Sequence, residues 1–277
     1  MNYKSKTAII FASFVFLLIG AMISLYVFVG AGSKQIKAAK SFMNKLESNN
    51  IITMDKENND YKSIKKSDPE KKKEYYSITV GDYGINVDSN YNVLGFSNKN
   101  SKAAEVKINP DEAKKLGEQY LKEIYTSGFK FKEVTKEDAG KSSPYYTIVF
   151  SKFENGYAFY SYDLSLNINK ETGTLDGYSN SSIDKEPNTI IINLDVNRGE
   201  NIALEDFSRL YKGGEITEKS YEAFYDNKEK NSLELCYIVT IKGLDENSKE
   251  IKLKYFISTD TGGINNTEKN NVTNTTA

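Results

Sequence analysis

The chain has 277 residues, with 37 Lys and Arg against 38 Asp and Glu, no histidine, no tryptophan and one cysteine. A net charge of -1 argues against a nucleic-acid binder, which carries a basic excess. The missing histidines exclude Ser-His-Asp and Cys-His nucleophile pairs, His-ligated zinc and haem on a proximal His, and a single cysteine excludes an internal disulfide, a Cys-rich zinc site and a protein-ligated iron–sulfur cluster.

Lysine outnumbers arginine 35 to 2, which reads as the coding bias of an AT-rich genome. The 20 Tyr and 14 Phe supply enough apolar surface for a folded core. Thr7 to Gly30 is a run of 24 uncharged residues. That is the length a helix needs to cross a bilayer and longer than the apolar core of a cleavable signal peptide. It predicts an uncleaved transmembrane signal anchor over 7–30, behind a cytoplasmic head over 1–6. Counting Lys4 and Lys6 against Lys34, Lys37, Lys40 and Lys45 favours the opposite orientation. A six-residue head followed by a large domain nevertheless places the C-terminal part outside the cell membrane.

Beyond the span, Ile36, Ala39, Met43 and Leu46 recur at helical spacing within Ser33–Asn49. Asp55 to Lys73 is charged and reads as a solvated loop. Tyr75–Val80, Tyr83–Val87 and Tyr91–Phe96 read as a meander of strands separated by polar turns. Asn109, Pro110 and Glu112 announce a helix start with a capping box. The stripe Ala113, Leu116, Tyr120, Leu121 and Ile124 carries that helix towards Gly128. Tyr145–Phe153 and Tyr157–Ile168 flank an Asn155-Gly156 hairpin turn, and Thr172-Gly173 leads to a strand over Thr174–Tyr178. A weaker round follows, with a short helix over Ala203–Tyr211 and strands at Ser220–Tyr225, Leu233–Lys242 and Ile251–Ser258. The Asn- and Thr-rich tail 265–277 is expected to be disordered.

Two hairpins repeat. Gly95-Phe96-Ser97-Asn98 recurs as Gly177-Tyr178-Ser179-Asn180, 82 positions on. A third copy begins at Phe256 and shares Thr261-Gly262 with Thr172-Gly173. The pattern predicts an α+β fold: an N-terminal transmembrane helix, then tandem units of one amphipathic helix packed on a small antiparallel β-sheet. The units are expected at 33–100, 101–185 and 186–264.

Ile108 to Ser179 resembles a PepSY-type domain. The resemblance rests on Asp111-Glu112-Ala113-Lys114-Lys115 opening the helix and on the aromatic strand Tyr145-Tyr146-Thr147-Ile148-Val149-Phe150. It rests also on the hairpin Asn167-Ile168-Asn169-Lys170-Glu171-Thr172-Gly173-Thr174-Leu175. The whole layout is similar to the YpeB and YcdB/YcdC-repeat families, which set such domains behind a membrane anchor. The resemblance implies a non-catalytic module that binds or restrains an exported enzyme, and it brings no catalytic residues with it.

The remaining chemistry is sparse. Asp88-Ser89-Asn90-Tyr91-Asn92 imitates the start of a calcium loop, but Val93 stands where glycine is required and Lys99 where a bidentate glutamate is required. Asp245-Glu246-Asn247 and Asp184-Lys185-Glu186 read as solvated turns. Cys236 sits in an apolar strand and reads as an inert buried thiol. Tyr157, Tyr160 and Tyr162 read as a half-exposed sheet face. No catalytic, cofactor-binding or metal-ligating residue is assigned and no cofactor is expected. The function expected is a membrane-anchored, extracytoplasmic, non-enzymatic protein whose partner is another envelope protein, such as a peptidase or cell-wall hydrolase. The alternatives are a carboxylate-dependent envelope hydrolase and a ligand-sensing or assembly protein.

Overall fold

A computed structural model describes residues 32–54, 60–68, 73–103, 105–125, 128–135, 143–180 and 186–270. The expected head and anchor at 1–30 lie outside the described residues. Among those described, no helix is long and apolar enough to cross a membrane.

The first helix, α1 (Ser33–Ser48), is followed by β1 (Lys62–Asp68), β2 (Lys73–Val80), β3 (Tyr83–Asp88) and β4 (Val93–Asn98). Helix α2 (Pro110–Ile124) leads to β5 (Phe129–Val134), β6 (Tyr145–Glu154), β7 (Tyr157–Asn169) and β8 (Leu175–Asn180). Helix α3 (Val196–Leu210) leads to β9 (Lys212–Ile216), β10 (Tyr221–Asn227), β11 (Ser232–Leu244), β12 (Glu250–Ser258) and β13 (Ile264–Asn270).

The expectation of separate small antiparallel sheets does not hold. The strands hydrogen-bond into one 13-stranded sheet, ordered β1-β2-β3-β4-β8-β7-β10-β11-β12-β13, with β6 on β7, β5 on β6 and β9 on β11. The sheet is mixed, because β10 runs parallel to β7 at Ala223–Ala158 and Phe224–Phe159. The physical reason is that a short meander leaves two rows of unpaired backbone groups, and these are satisfied by pairing with the next meander. The repeated hairpin ends are what pair: Gly95 lies opposite Ser179, Phe96 opposite Tyr178 and Ser97 opposite Gly177. Two copies of one sequence therefore meet around a local two-fold centred on Phe96 and Tyr178.

Two further expectations are corrected. Within the stretch expected as a charged loop, Lys62–Asp68 forms β1, in register with β2 and with Lys65 bridged to Glu74 at 2.7 Å. A strand at the end of a sheet tolerates lysines because one of its edges stays in water. Asn265 to Asn270, expected to be disordered, belongs to β13, which pairs antiparallel with β12.

The chain divides into two compact units. The first takes the described residues up to Tyr125 together with 133–135, 143–149 and 165–180. There α1 buries Ala39, Met43 and Leu46. Its Phe42 ring lies 5.8 Å from both Phe96 and Tyr178. Helix α2 buries Ala113, Gly117, Tyr120 and Leu121. The second unit takes 128–132, 150–164 and 186–270. There Ala203 and Phe207 of α3 pack on Tyr237, Val239, Ile241, Tyr255 and Ile257. Each fully buried large apolar side chain contributes about 1.5–3 kcal/mol, and these clusters fix where the helices sit. Helix α3 starts at Val196, well before the expected Ala203, with the Asp195 side chain accepting from Arg198 N. Its first turns are polar, but Gly199 lets the helix lie against Tyr237, since a Cβ there would come within 2.9 Å of the ring.

Candidate functional site

The hairpin Asn167–Leu175, one of the three segments that carried the family resemblance, forms a closely bonded turn in the first unit. Asn169 Oδ1 accepts from the backbone N–H groups of Glu171 and Thr172 at 2.9 and 3.1 Å. Its Nδ2 donates to Lys102 O at 2.9 Å and to Asp176 at 2.6 Å. Asp176 is buried and also accepts from Ser101 Oγ and, at 3.4 Å, from Asn98 Nδ2. Tyr120 of α2 donates its hydroxyl to Gly173 O at 2.9 Å, which ties the helix to the turn. The expected capping box at Asn109 and Glu112 is formed in full.

The same turn recurs in the second unit. Asn169 N donates to Thr174 O at 2.9 Å and Gly173 N to Asn169 O at 3.0 Å, and the equivalents are Ser258 N to Gly263 O at 2.9 Å and Gly262 N to Ser258 O at 3.0 Å. Gly173 and Gly262 sit at φ 74° and 71°, in the left-handed region that glycine enters without strain. Lys107 N and Ile108 N donate to Lys170 O just before α2, as Asn193 N and Leu194 N donate to Thr259 O just before α3. The hairpin at Asp88 closes differently: its carboxylate accepts from Asn90 N and Asn92 N at 2.8 Å each. Asp245 does the same with Asn247 N and Lys249 N. Both carboxylates hold turns together. Asp184 lies outside the described residues.

The three tyrosines of β7 do not share a face. Ser161 stands at φ 61°, an unusual value for a strand residue with a side chain. The side chains on either side of it part there. Tyr157 and Tyr162 pack with Phe159, Phe224, Leu233 and Leu235. Tyr160 and Tyr225 pack on the other side against Ala223, Cys236, Ile238 and Phe256. Tyr162 donates to Asp226 at 2.9 Å and Tyr160 to Glu268 at 2.7 Å. Burial first, then the carboxylate partner, pushes both phenols well above the usual tyrosine range. Lys254 reaches the Tyr160 hydroxyl at 3.3 Å. Burial pushes the Cys236 thiol up to about 12, against a smaller opposing effect from Asn265, which reaches the sulfur at 3.3 Å.

A groove of about 640 Å³ opens in the second unit. One wall is the extended segment Pro187 to Ile191, beside Lys230 and Glu234, and the other is the turn from Ser258 to Thr261. Sequence reasoning missed it, because the segment has no periodicity and the groove is made by the fold. Glu234 accepts from Lys230, from Ser232 Oγ at 3.0 Å and from Asn265 Nδ2 at 2.7 Å. Asp260 accepts from Asn193 Nδ2 at 2.7 Å. Thr259 is buried and gives its hydroxyl to Ile191 O at 2.7 Å. The Glu234 carboxylate, held by three donors, is a fixed acceptor suited to shaping a surface. Ile191, which lines the groove, stands 43% exposed. Among the described residues no three His, Cys, Asp or Glu side chains gather as metal ligands.

The fold is similar to that of the YpeB C-terminal domain of Bacillus megaterium. The two agree with a TM-score of 0.51 at 18% identity, over 86% of this chain and 96% of that one. At that identity the likeness shows the fold. No protein-family model matches the chain, and no curated protein sequence does.

Proposed function

We propose that the protein is a membrane-anchored, extracytoplasmic, non-catalytic binding protein of the PepSY and YpeB-like kind, which holds or regulates another envelope protein such as a peptidase or cell-wall hydrolase. The observation that carries this reading is the fold shared with the YpeB C-terminal domain along most of the chain. Two further features support it. Asn169 is engaged in holding its turn to Lys102 and Asp176, and Tyr120 of α2 holds the helix to the Gly173 carbonyl. The Thr7–Gly30 run has the length of an anchor.

The test is cross-linking in intact cells followed by purification of the tagged full-length chain. The expected result is one exported hydrolase or peptidase, whose amount or activity falls when the chain is deleted and returns when it is restored. External protease should degrade the part beyond residue 33 in the same cells. Protection from that protease would overturn the orientation. Hydrolysis of envelope polysaccharide or peptide by the purified chain, lost on replacing one carboxylate, would overturn the non-catalytic reading.

A further inference from the structure

The three hairpins that share the repeated sequence end in β4, β8 and β13. Aligned on Thr172-Gly173 and Thr261-Gly262, Gly177-Tyr178-Ser179 falls on Asn266-Thr267-Glu268. The turns feeding β8 and β13 have the same hydrogen bonds and the same glycine conformation. β4 and β8 are paired with each other, around Phe96 and Tyr178. Among the described residues β13 pairs with β12 alone, so its outer edge is the one copy of this edge with no mate.

We propose that the outer edge of β13 is a self-association surface, which pairs antiparallel with β13 of a second copy of this chain around Thr267. The register follows from the pair already present in the chain. Placing the two-fold at Thr267, as it lies at Phe96 and Tyr178, sets Thr267 opposite Thr267 of the second copy. It sets Glu268 opposite Asn266 and Lys269 opposite Asn265. Threonine pairs and carboxylate–amide pairs are favourable across antiparallel strands, and no like charges meet in this register. Shifting the two-fold to Glu268 or Lys269 would oppose like charges, so the charge pattern disfavours those registers, and the alignment with the Phe96–Tyr178 pair places the two-fold at Thr267. Thr267 and Lys269 are exposed, and Asn266 and Glu268 half-buried, so the edge is accessible to a second strand. A strand from a different protein is the competing occupant.

The test uses the full-length chain in detergent micelles with a single introduced cysteine. Cys236 is buried, so the new thiol is the one that reacts. Under mild oxidation Thr267→Cys should give a covalent dimer. Lys269→Cys, two residues from the two-fold and about 13 Å from its counterpart, should not. Thr267→Lys, which sets two ammonium groups face to face, should weaken self-association about fivefold without changing the circular dichroism. Equal cross-linking at both positions, self-association unaffected by Thr267→Lys, or a monomeric mass at every concentration would each overturn the proposal. The last result with a strand of another protein cross-linked at Thr267→Cys would assign the edge to that protein instead.

Discussion

Asn169 shows how much one side chain does in this fold. Its carbonyl and amide together make four hydrogen bonds, two of them to groups far away in sequence or buried. Replacing it with alanine removes all four and leaves the buried Asp176 carboxylate short of a donor. The cost is expected to be about 2–3 kcal/mol, read as a lower urea midpoint with an unchanged slope. An unchanged midpoint would show that water replaces the amide. The asparagine was legible from the sequence as a turn residue. Its hold on Asp176 and Lys102 was not, because those contacts depend on where three separate segments come together. The same holds for Tyr160 and Tyr162. Strict alternation along β7 puts them on one face, and the backbone of Ser161 separates them.

At the level of elements, the local signals were strong where chain chemistry alone decides. The capping box at Asn109, the Asn155-Gly156 turn and the helix stripe of α2 were all readable, since each involves neighbours within a few residues. The start of α3 was hidden, because Asn197 to Asn201 is a poor helix sequence and forms one only through the Asp195 cap and the packing of Gly199 on Tyr237. β1 was hidden by its lysines and β13 by its asparagines, and both form by pairing with a better strand. The shared Thr-Gly turn makes a paired prediction. Gly173→Ala and Gly262→Ala should each cost about 1–2 kcal/mol, since alanine is strained at positive φ. The added methyl would also press on Leu116 Cδ1 at 3.1 Å in one case and Ile202 Cδ1 at 3.0 Å in the other. Matching losses in thermal denaturation are expected. A neutral effect at Gly262 alone would show that the third turn lacks the helix contact that the second one has.

For the whole molecule, the repeat was visible and its consequence was not. A hairpin that recurs 82 positions later suggests units standing side by side, each complete. Nothing in the local pattern says that the last strands of two copies become neighbours, because edge pairing is decided by unpaired backbone groups and carries little side-chain signature. The seam between β4 and β8 also has a kinetic meaning. β1 to β4, and β5 to β8, are each sewn in chain order by connections between neighbouring strands, whereas the seam joins Phe96 to Tyr178 across 82 positions. Closing so long a loop has a larger entropic cost, so the seam should form last and open first. Gly95→Ala, whose methyl would come within 2.6 Å of Tyr178 O, should therefore raise the unfolding rate and leave the folding rate almost unchanged. A slowed folding arm would mean that the two hairpins find each other early. Between those events, the backbone amides bonded across the β4–β8 seam should exchange with solvent sooner than those inside either hairpin, so the seam acts as a fastener within the first unit that releases before the hairpins it joins.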